Sequence, residues 1–381
     1  MVLEVSTSVS LKKYSATLGS MRRRKVAILG GGGIVSQRFQ QRLANHPWFE
    51  LAAVAGSPRT TGKALSDIVW VLPEPRPALP DLTILGMDGL IEALDDVEVV
   101  FSGLPSDVAA QIEKPLAEAG FFVFSNASTH RMDDDVPLVI ADLNPHHLLP
   151  LKTKLAAGQS QGFVACGTNC TVVPAALPIK PIWDMIGLRK VSIRTEQATS
   201  GGGLNLLVRA REEGKVEPEI PGEAEKIVEE CRSLLGRATA ERCTQANIVV
   251  DCSCRRVLRE WGHLVHVEVQ LSRESDAAEV IEWVSNHRGR AQALNLPSAP
   301  QIPIIIAADI DTDADRWAGA ESDNQDPSTD LRAGMAVVMA NIEVEGRTLR
   351  FTGYSANTIR GAAGGTVLLA ELAAAEGLLG E

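Results

Sequence analysis

The segment "RRRKVAILGGGGIVSQRFQQRLANHPWFELAAVAG", Arg22 to Gly56, constrains the fold of this chain more than any other. Residues 25 to 29 form a short apolar run and predict a strand. Val35, Phe39 and Leu43 then recur at the helical interval until His46-Pro47 ends the pattern. Strand, glycine turn, helix and second strand make a βαβ unit, the building block of a doubly wound parallel sheet. Gly30 and Gly33, with Ser36 in the third place, stand where a dinucleotide fingerprint has small residues. A glycine turn between strand and helix lets the backbone approach a pyrophosphate, which then sits on the exposed N–H groups of the helix start, where Ile34 and Val35 lie. The end of the second strand selects among nucleotides. An NAD site usually places an acidic residue there, whereas "AGSPRTTGK" offers Ser57, Arg59, Thr60 and Lys63. Hydroxyls and cations suit a 2′-phosphate, so the expected cofactor is NADP.

Strand signals recur at 97 to 101 and 121 to 124 with a helical "SDVAAQIEKPLAEAG" between them, and the alternation persists to about residue 143. Beyond Cys170 the texture changes. Alternating strands at 264 to 271 and 336 to 343 point to a mixed or antiparallel sheet, and 312 to 332 to a polar, acidic surface loop. A chain of 381 residues exceeds one ordinary core. The expected division is a flexible extension over 1–21, a cofactor domain over 22–168, an α+β catalytic and oligomerisation domain over 169–355, and a C-terminal helix over 356–381 returning to the first domain.

Composition narrows the function classes. With 45% hydrophobic and 22% charged residues the chain is that of a soluble globular protein. A formal charge of -11 opposes general attraction to nucleic acid or anionic membrane. Six cysteines include no C-x-x-C pair, and Cys252-x-Cys254 has strand spacing, so all six read as reduced thiols of a cytoplasmic protein. Residues 1 to 20 are Ser/Thr-rich with Lys12 and Lys13, and read as a disordered or loosely docked extension, a transit peptide being the alternative.

The chemistry centres on "ACGTNCTVVPAALPIKPI", in which Cys170 separates a polar loop from an apolar stretch. Taken alone, such a cysteine is more often a small buried hydrophobe than a nucleophile. Two other segments bear on it. "QATSGGG" brings Gln197 and a glycine turn, and "RRVLREWGHLVHV" brings Arg256 and His263 just ahead of a strand. An activated thiol wants an imidazole, and a tetrahedral intermediate wants an N–H donor. His263 and His266 have a spacing sometimes used for metals, but on a strand they point to opposite faces, so no metal is expected. His146-His147 reads as a loop pair.

These segments together resemble the aspartate-β-semialdehyde dehydrogenases, in particular their fungal and archaeal branch, from about residue 22 to near the end of the chain. "GGGGIVSQRF", "GTNCTVV", "QATSGGG", "GEAEKI", "RVLREWGH" and "SANTIRGAAGG" match that family's segments in order and spacing. The resemblance implies Cys170 as acyl-accepting nucleophile, His263 as acid and base, and Gln197 orienting the intermediate. It implies Arg256 for the substrate carboxylate, Glu223 for its amino group, Lys226 and Arg131 for phosphate, and Asn169 beside the thiol. Ser200, Gly201 and Asn357 would join the cofactor site, and the protein would be a homodimer or homotetramer. The implied reaction is NADPH-dependent reduction of L-aspartyl-4-phosphate to the semialdehyde through a cysteine thioester. Departures cluster around the substrate pocket: "LNLLVRAREEGKVEPEI" follows the glycines, and Arg259, Glu260 and Trp261 precede Gly262. Two alternatives therefore stand: a reductase of a related acyl phosphate or an acyl-CoA such as malonyl-CoA, and an NADP-binding protein without turnover.

Overall fold

The protein is described here by a computed structural model covering residues 22–323 and 325–380, so the expected N-terminal extension lies outside the described residues. Five parallel strands form the first sheet: β1 (Arg24–Leu29), β2 (Phe49–Ala55), β3 (Val99–Ser102), β4 (Phe122–Ser125) and β5 (Phe163–Cys166), in the order β2-β1-β3-β4-β5. The order reverses at β1, whose Leu29 pairs with Ala55 on one side and Ser102 on the other. A crevice therefore opens beyond the carboxyl ends of β1 and β3, the usual ligand position in such sheets. Gly30 enters it with φ +112°, and a Cβ there would lie 3.0 Å from the Gly103 carbonyl oxygen. Only glycine takes that turn without strain.

The helix Ile34–Leu43 follows, and nearly its whole circumference is buried. The helix Gly364–Ala375 packs against it and against β4, which brings the end of the chain back to the first sheet. That contact hides groups a helical wheel would leave in water. His46 Nε2 meets Glu371 Oε1 at 2.9 Å, and Glu371 Oε2 accepts the Ser298 N–H at 2.9 Å. Buried charge of this kind persists only when paired.

The second sheet has six strands in the order β11-β12-β13-β10-β6-β9: β6 (Leu188–Gln197), β9 (Val249–Arg256), β10 (His263–Leu271), β11 (Ile304–Ile306), β12 (Val337–Glu345) and β13 (Thr348–Ser355). β7 (Arg237–Ala238) and β8 (Cys243–Thr244) form a separate small ribbon. The sheet is mixed, with β6 parallel to β9 and antiparallel to β10. Period-2 alternation builds its inner face from Val191, Ile193, Val265, Val267, Val269, Leu349 and Phe351. The apolar helix Val173–Ile186 covers that face. Its opposite face, with Arg194, His266, Glu268 and Arg350, is polar and partly exposed. The acidic segment at 312 to 332 is mainly turns, with one short 3-10 helix over Asp315–Trp317. Among the described residues no helix is long and apolar enough to cross a membrane.

Candidate active site

Between β5 and the helix Val173–Ile186 the chain passes from the first sheet towards the second, and Cys170 lies on that passage. Asn169 fixes its loop from three sides. The Asn169 side chain accepts the Thr171 N–H at 2.8 Å and donates to Glu223 Oε1 at 2.7 Å, while its backbone N–H donates to Glu230 Oε2 at 2.6 Å. The partly buried thiol precedes the helix start by three residues, where the unpaired N–H groups favour negative charge.

His263, the first residue of β10, reaches the same point, with Nε2 3.1 Å from Cys170 Sγ. Nδ1 accepts the Ala198 N–H at 3.0 Å. A backbone N–H can only donate, so the neutral ring carries its proton on Nε2, facing the sulfur. Burial, reinforced by Arg259 and Arg256, lowers the His263 pKa to about 3. Burial and the Glu223 carboxylate push Cys170 up to about 12, against the opposing pull of Arg131, Thr171 and Arg256. The resting pair is thus a neutral thiol and a neutral imidazole, with a donor already aimed where charge develops on sulfur or on a carbonyl oxygen.

The surrounding residues are unevenly placed. Arg256 is half-buried and donates from Nη1 to the Ala198 carbonyl at 3.0 Å. A Cβ on Gly201 would lie 2.9 Å from His263 Nε2 and 3.7 Å from Arg256 Nη1, so only glycine lets this turn close over both. Glu223 turns toward Asn169, whereas Glu225 and Lys226 are exposed. Gln197 is buried, and its amide donates to Thr195 Oγ1 at 3.4 Å instead of meeting the Cys170 loop. Arg131 is no open cation: it is buried, pairs with Glu230 at 2.9 Å and donates to the Asn126 carbonyl at 2.8 Å.

On the nucleotide side, Gly33 caps the helix that Ile34 begins, and the Gly33 N–H donates to the Gly30 carbonyl at 3.1 Å. Val35 packs against Gly103, and Ser36 is fully buried. After β2 the turn closes through the Thr60 N–H to the Ser57 carbonyl at 2.8 Å, leaving Arg59 and Lys63 exposed. Asn357 joins two loops, donating to Ser200 Oγ at 3.0 Å and accepting the Gly262 N–H at 2.8 Å. His263 and His266 lie on opposite faces of β10.

Sequence reasoning missed Glu230, whose carboxylate holds both Arg131 and the Cys170 loop; in "EKIVEEC" it is one acidic residue among several. It also missed Gly361, which lies against the Cys170 side chain, and the charged setting of Trp261.

Residues 25–150 match the family described as "Semialdehyde dehydrogenase, NAD binding domain". An aspartate-semialdehyde dehydrogenase of Archaeoglobus fulgidus is 37% identical, the alignment covering 92% of this chain and 98% of the relative. A malonyl CoA reductase (NADP) of Metallosphaera sedula is 32% identical over 94% of this chain and 99% of the relative. The structure of aspartate semialdehyde dehydrogenase with NADP from Candida albicans superimposes with a TM-score of 0.79 at 29% identity, covering 93% of this chain and 99% of that one. By this identity over nearly full length, the chain belongs to the aspartate-semialdehyde dehydrogenase family.

Proposed function

We propose that the protein is an NADP-dependent, phosphorylating aldehyde dehydrogenase that interconverts L-aspartyl-4-phosphate and L-aspartate-4-semialdehyde. The Cys170–His263 contact at 3.1 Å, with the imidazole proton directed at sulfur, carries this reading. In the reductive direction the Cys170 thiol gives its proton to solvent, the thiolate attacks the acyl carbon with the His263 Nε2–H as hydrogen-bond donor, and phosphate leaves with the electron pair of its C–O bond. The product is a thioester on Cys170. The glycine turn and the Ile34 helix start would hold NADPH, which would supply a hydride to the thioester carbon. His263 Nε2–H donates a hydrogen bond to the oxyanion of the resulting thiohemiacetal, which collapses to the aldehyde as the carbon–sulfur electron pair returns to Cys170 as thiolate. Dividing the reduction replaces one hard step by two easier ones.

Arg256 takes the substrate carboxylate and Glu223 its ammonium group, with Asn169 beside them. Lys226 and Arg131 supply positive field for phosphate, that of Arg131 reduced by its pair with Glu230. Gln197 orients the intermediate, Ser200, Gly201 and Asn357 border the nicotinamide, and Ser57, Arg59, Thr60 and Lys63 receive the 2′-phosphate. Residues 22–168 act as the cofactor domain and 169–355 as the catalytic one. The test is phosphate-dependent NADP+ reduction with aspartate semialdehyde, with malonate semialdehyde plus coenzyme A in parallel. Turnover of the second pair alone would move the substrate to an acyl-CoA, the activity named for the Metallosphaera relative.

Replacing Arg59 and Lys63 together by Ala should raise KM for NADP+ by roughly 10- to 100-fold and leave KM for NAD+ within about threefold, since exposed cations contact only the 2′-phosphate. Equal losses with both cofactors would contradict that placement. The partly exposed face of the six-stranded sheet supports assembly as a homodimer or homotetramer, and a monomer at micromolar concentration in sedimentation would refute it. All six free cysteines suit a cytoplasmic protein; a fluorescent fusion found in another compartment would refute that location.

A further inference from the structure

Trp261 stands two residues before His263, in a place where neither the sequence pattern nor the reaction requires an indole. Two guanidiniums lie over its ring, Arg38 5.5 Å and Arg316 5.0 Å from its centre, and Arg316 also lies 4.8 Å from the Trp317 ring. Arg38 belongs to the helix that Ile34 begins and is fully buried, while Arg316 comes from the acidic segment after residue 312. Glu74 joins the two cations, meeting Arg38 Nη1 at 2.6 Å and also pairing with Arg316. Arg38 Nε further donates to Thr358 Oγ1 at 3.1 Å, next to Asn357. On its apolar side Trp261 joins a cluster with Ile34, Leu72, Leu204 and Leu207. Glu260 is held by Arg211 through two bonds of 2.7 Å, and the Gly262 N–H by Asn357 at 2.8 Å. Five separate segments thus converge on the residues leading into His263.

We propose that Trp261, held by the Glu74-bridged pair Arg38 and Arg316, is a positioning residue that sets the His263 imidazole from the cofactor helix. The indole is a broad, stiff anchor whose faces suit cations, and the Glu74 bridge keeps those cations from separating. His263 Nδ1 has a single fixed point at the Ala198 N–H, so the direction of Nε2 toward Cys170 depends on where the backbone at 261 to 263 is held. The charged groups acting on the thiol and imidazole are Glu223, Arg131, Arg256 and Arg259, and none belongs to the bridged pair. Loss of the indole therefore acts through geometry.

This proposal rests on reading Cys170 and His263 as the reacting pair, so its test includes a measurement that needs no substrate. Trp261→Ala, Trp261→Phe and Arg316→Gln would be assayed for kcat, for both KM values, and for the rate at which iodoacetamide alkylates Cys170, read by peptide mass. In Trp261→Ala, kcat is expected to fall at least about tenfold with both KM values within about threefold, and alkylation to slow at least about threefold as the donor leaves the sulfur. Trp261→Phe, which keeps an aromatic face, should restore most of both. If Trp261→Ala does not fold, Arg316→Gln removes one guanidinium from a partly exposed position and should lower kcat by roughly threefold. Parental kcat and alkylation in the folded Trp261→Ala protein would overturn the proposal. A rise in KM for NADP+ with unchanged kcat would do so too, making Trp261 a cofactor contact. Absence of turnover in every form, parent included, would instead sink the substrate assignment, while the alkylation contrast still decides the role of Trp261.

Discussion

Cys170→Ser is expected to lower turnover by roughly 10⁴-fold or more while leaving the Kd for NADPH within about twofold. Serine matches cysteine in shape, so the Asn169 hydrogen bonds and the helix start behind it are kept. What changes is the nucleophile. An alkoxide forms far less readily than a thiolate, and the neutral His263 above it has its proton on the nitrogen that faces residue 170, so it offers a donor and no acceptor. The cofactor turn at Gly30 to Ile34 belongs to the other sheet and is untouched. Isothermal titration with NADPH beside a steady-state assay checks both halves, and retained turnover would remove the covalent scheme. The same electrostatics predict a pH dependence. With the thiol pushed up to about 12 and the imidazole lowered to about 3, the free enzyme lacks a thiolate–imidazolium pair at neutral pH. Alkylation of Cys170 should then rise steadily between about pH 6 and 9, because the thiolate fraction grows with pH below the thiol's pKa. A plateau from the acid side would show an ion pair instead.

Arg256→Ala carries the second large effect: kcat/KM for aspartate semialdehyde should fall by roughly 10²- to 10³-fold, mostly through KM. The guanidinium is half-buried, anchored by one bond to the Ala198 carbonyl, and shares its corner with Glu223. A fork of donors with one arm fixed and the rest unpaired matches a carboxylate. Lysine at 256 should recover little, since an ammonium lacks the second arm. Glu223→Gln separates the candidate substrates. It should weaken the amino aldehyde, whose ammonium needs the carboxylate, and leave malonate semialdehyde within about threefold. An Arg256→Ala protein with unchanged kcat/KM would show that the carboxylate binds elsewhere.

The residues differ in how openly the chain announces them. β1, the glycine turn and the helix after it were legible because a strand run, a glycine and a 3.6-residue period coincide in one short segment. The mixed sheet was legible from the alternation at 264 to 271, which the structure extends by one residue at the start to include His263. Cys170 and His263 stand 93 positions apart, and their meeting could be expected only through resemblance of several segments at once. Arg38 and Arg42 were illegible for a different reason. A helical pattern assigns arginine to the solvated face, but the C-terminal helix and the segments around Glu74 and Leu331 cover that face, and both side chains are fully buried. Glu230 was hidden likewise, since only the fold reveals which carboxylate of an acidic run turns inward to meet Arg131. Gln197 shows the limit from the other side: the motif marks it for the intermediate, while in the free protein its amide bonds within its own strand.

The covalent account is tested most directly by trapping the acyl group. The protein would be mixed with NADP+ and aspartate semialdehyde in the absence of phosphate, quenched in acid, and its peptides weighed. The account predicts the aspartyl mass on the Cys170 peptide, formed together with a burst of NADPH of about one equivalent per site and discharged when phosphate is added. A burst-free steady rate with Cys170 unmodified would contradict it.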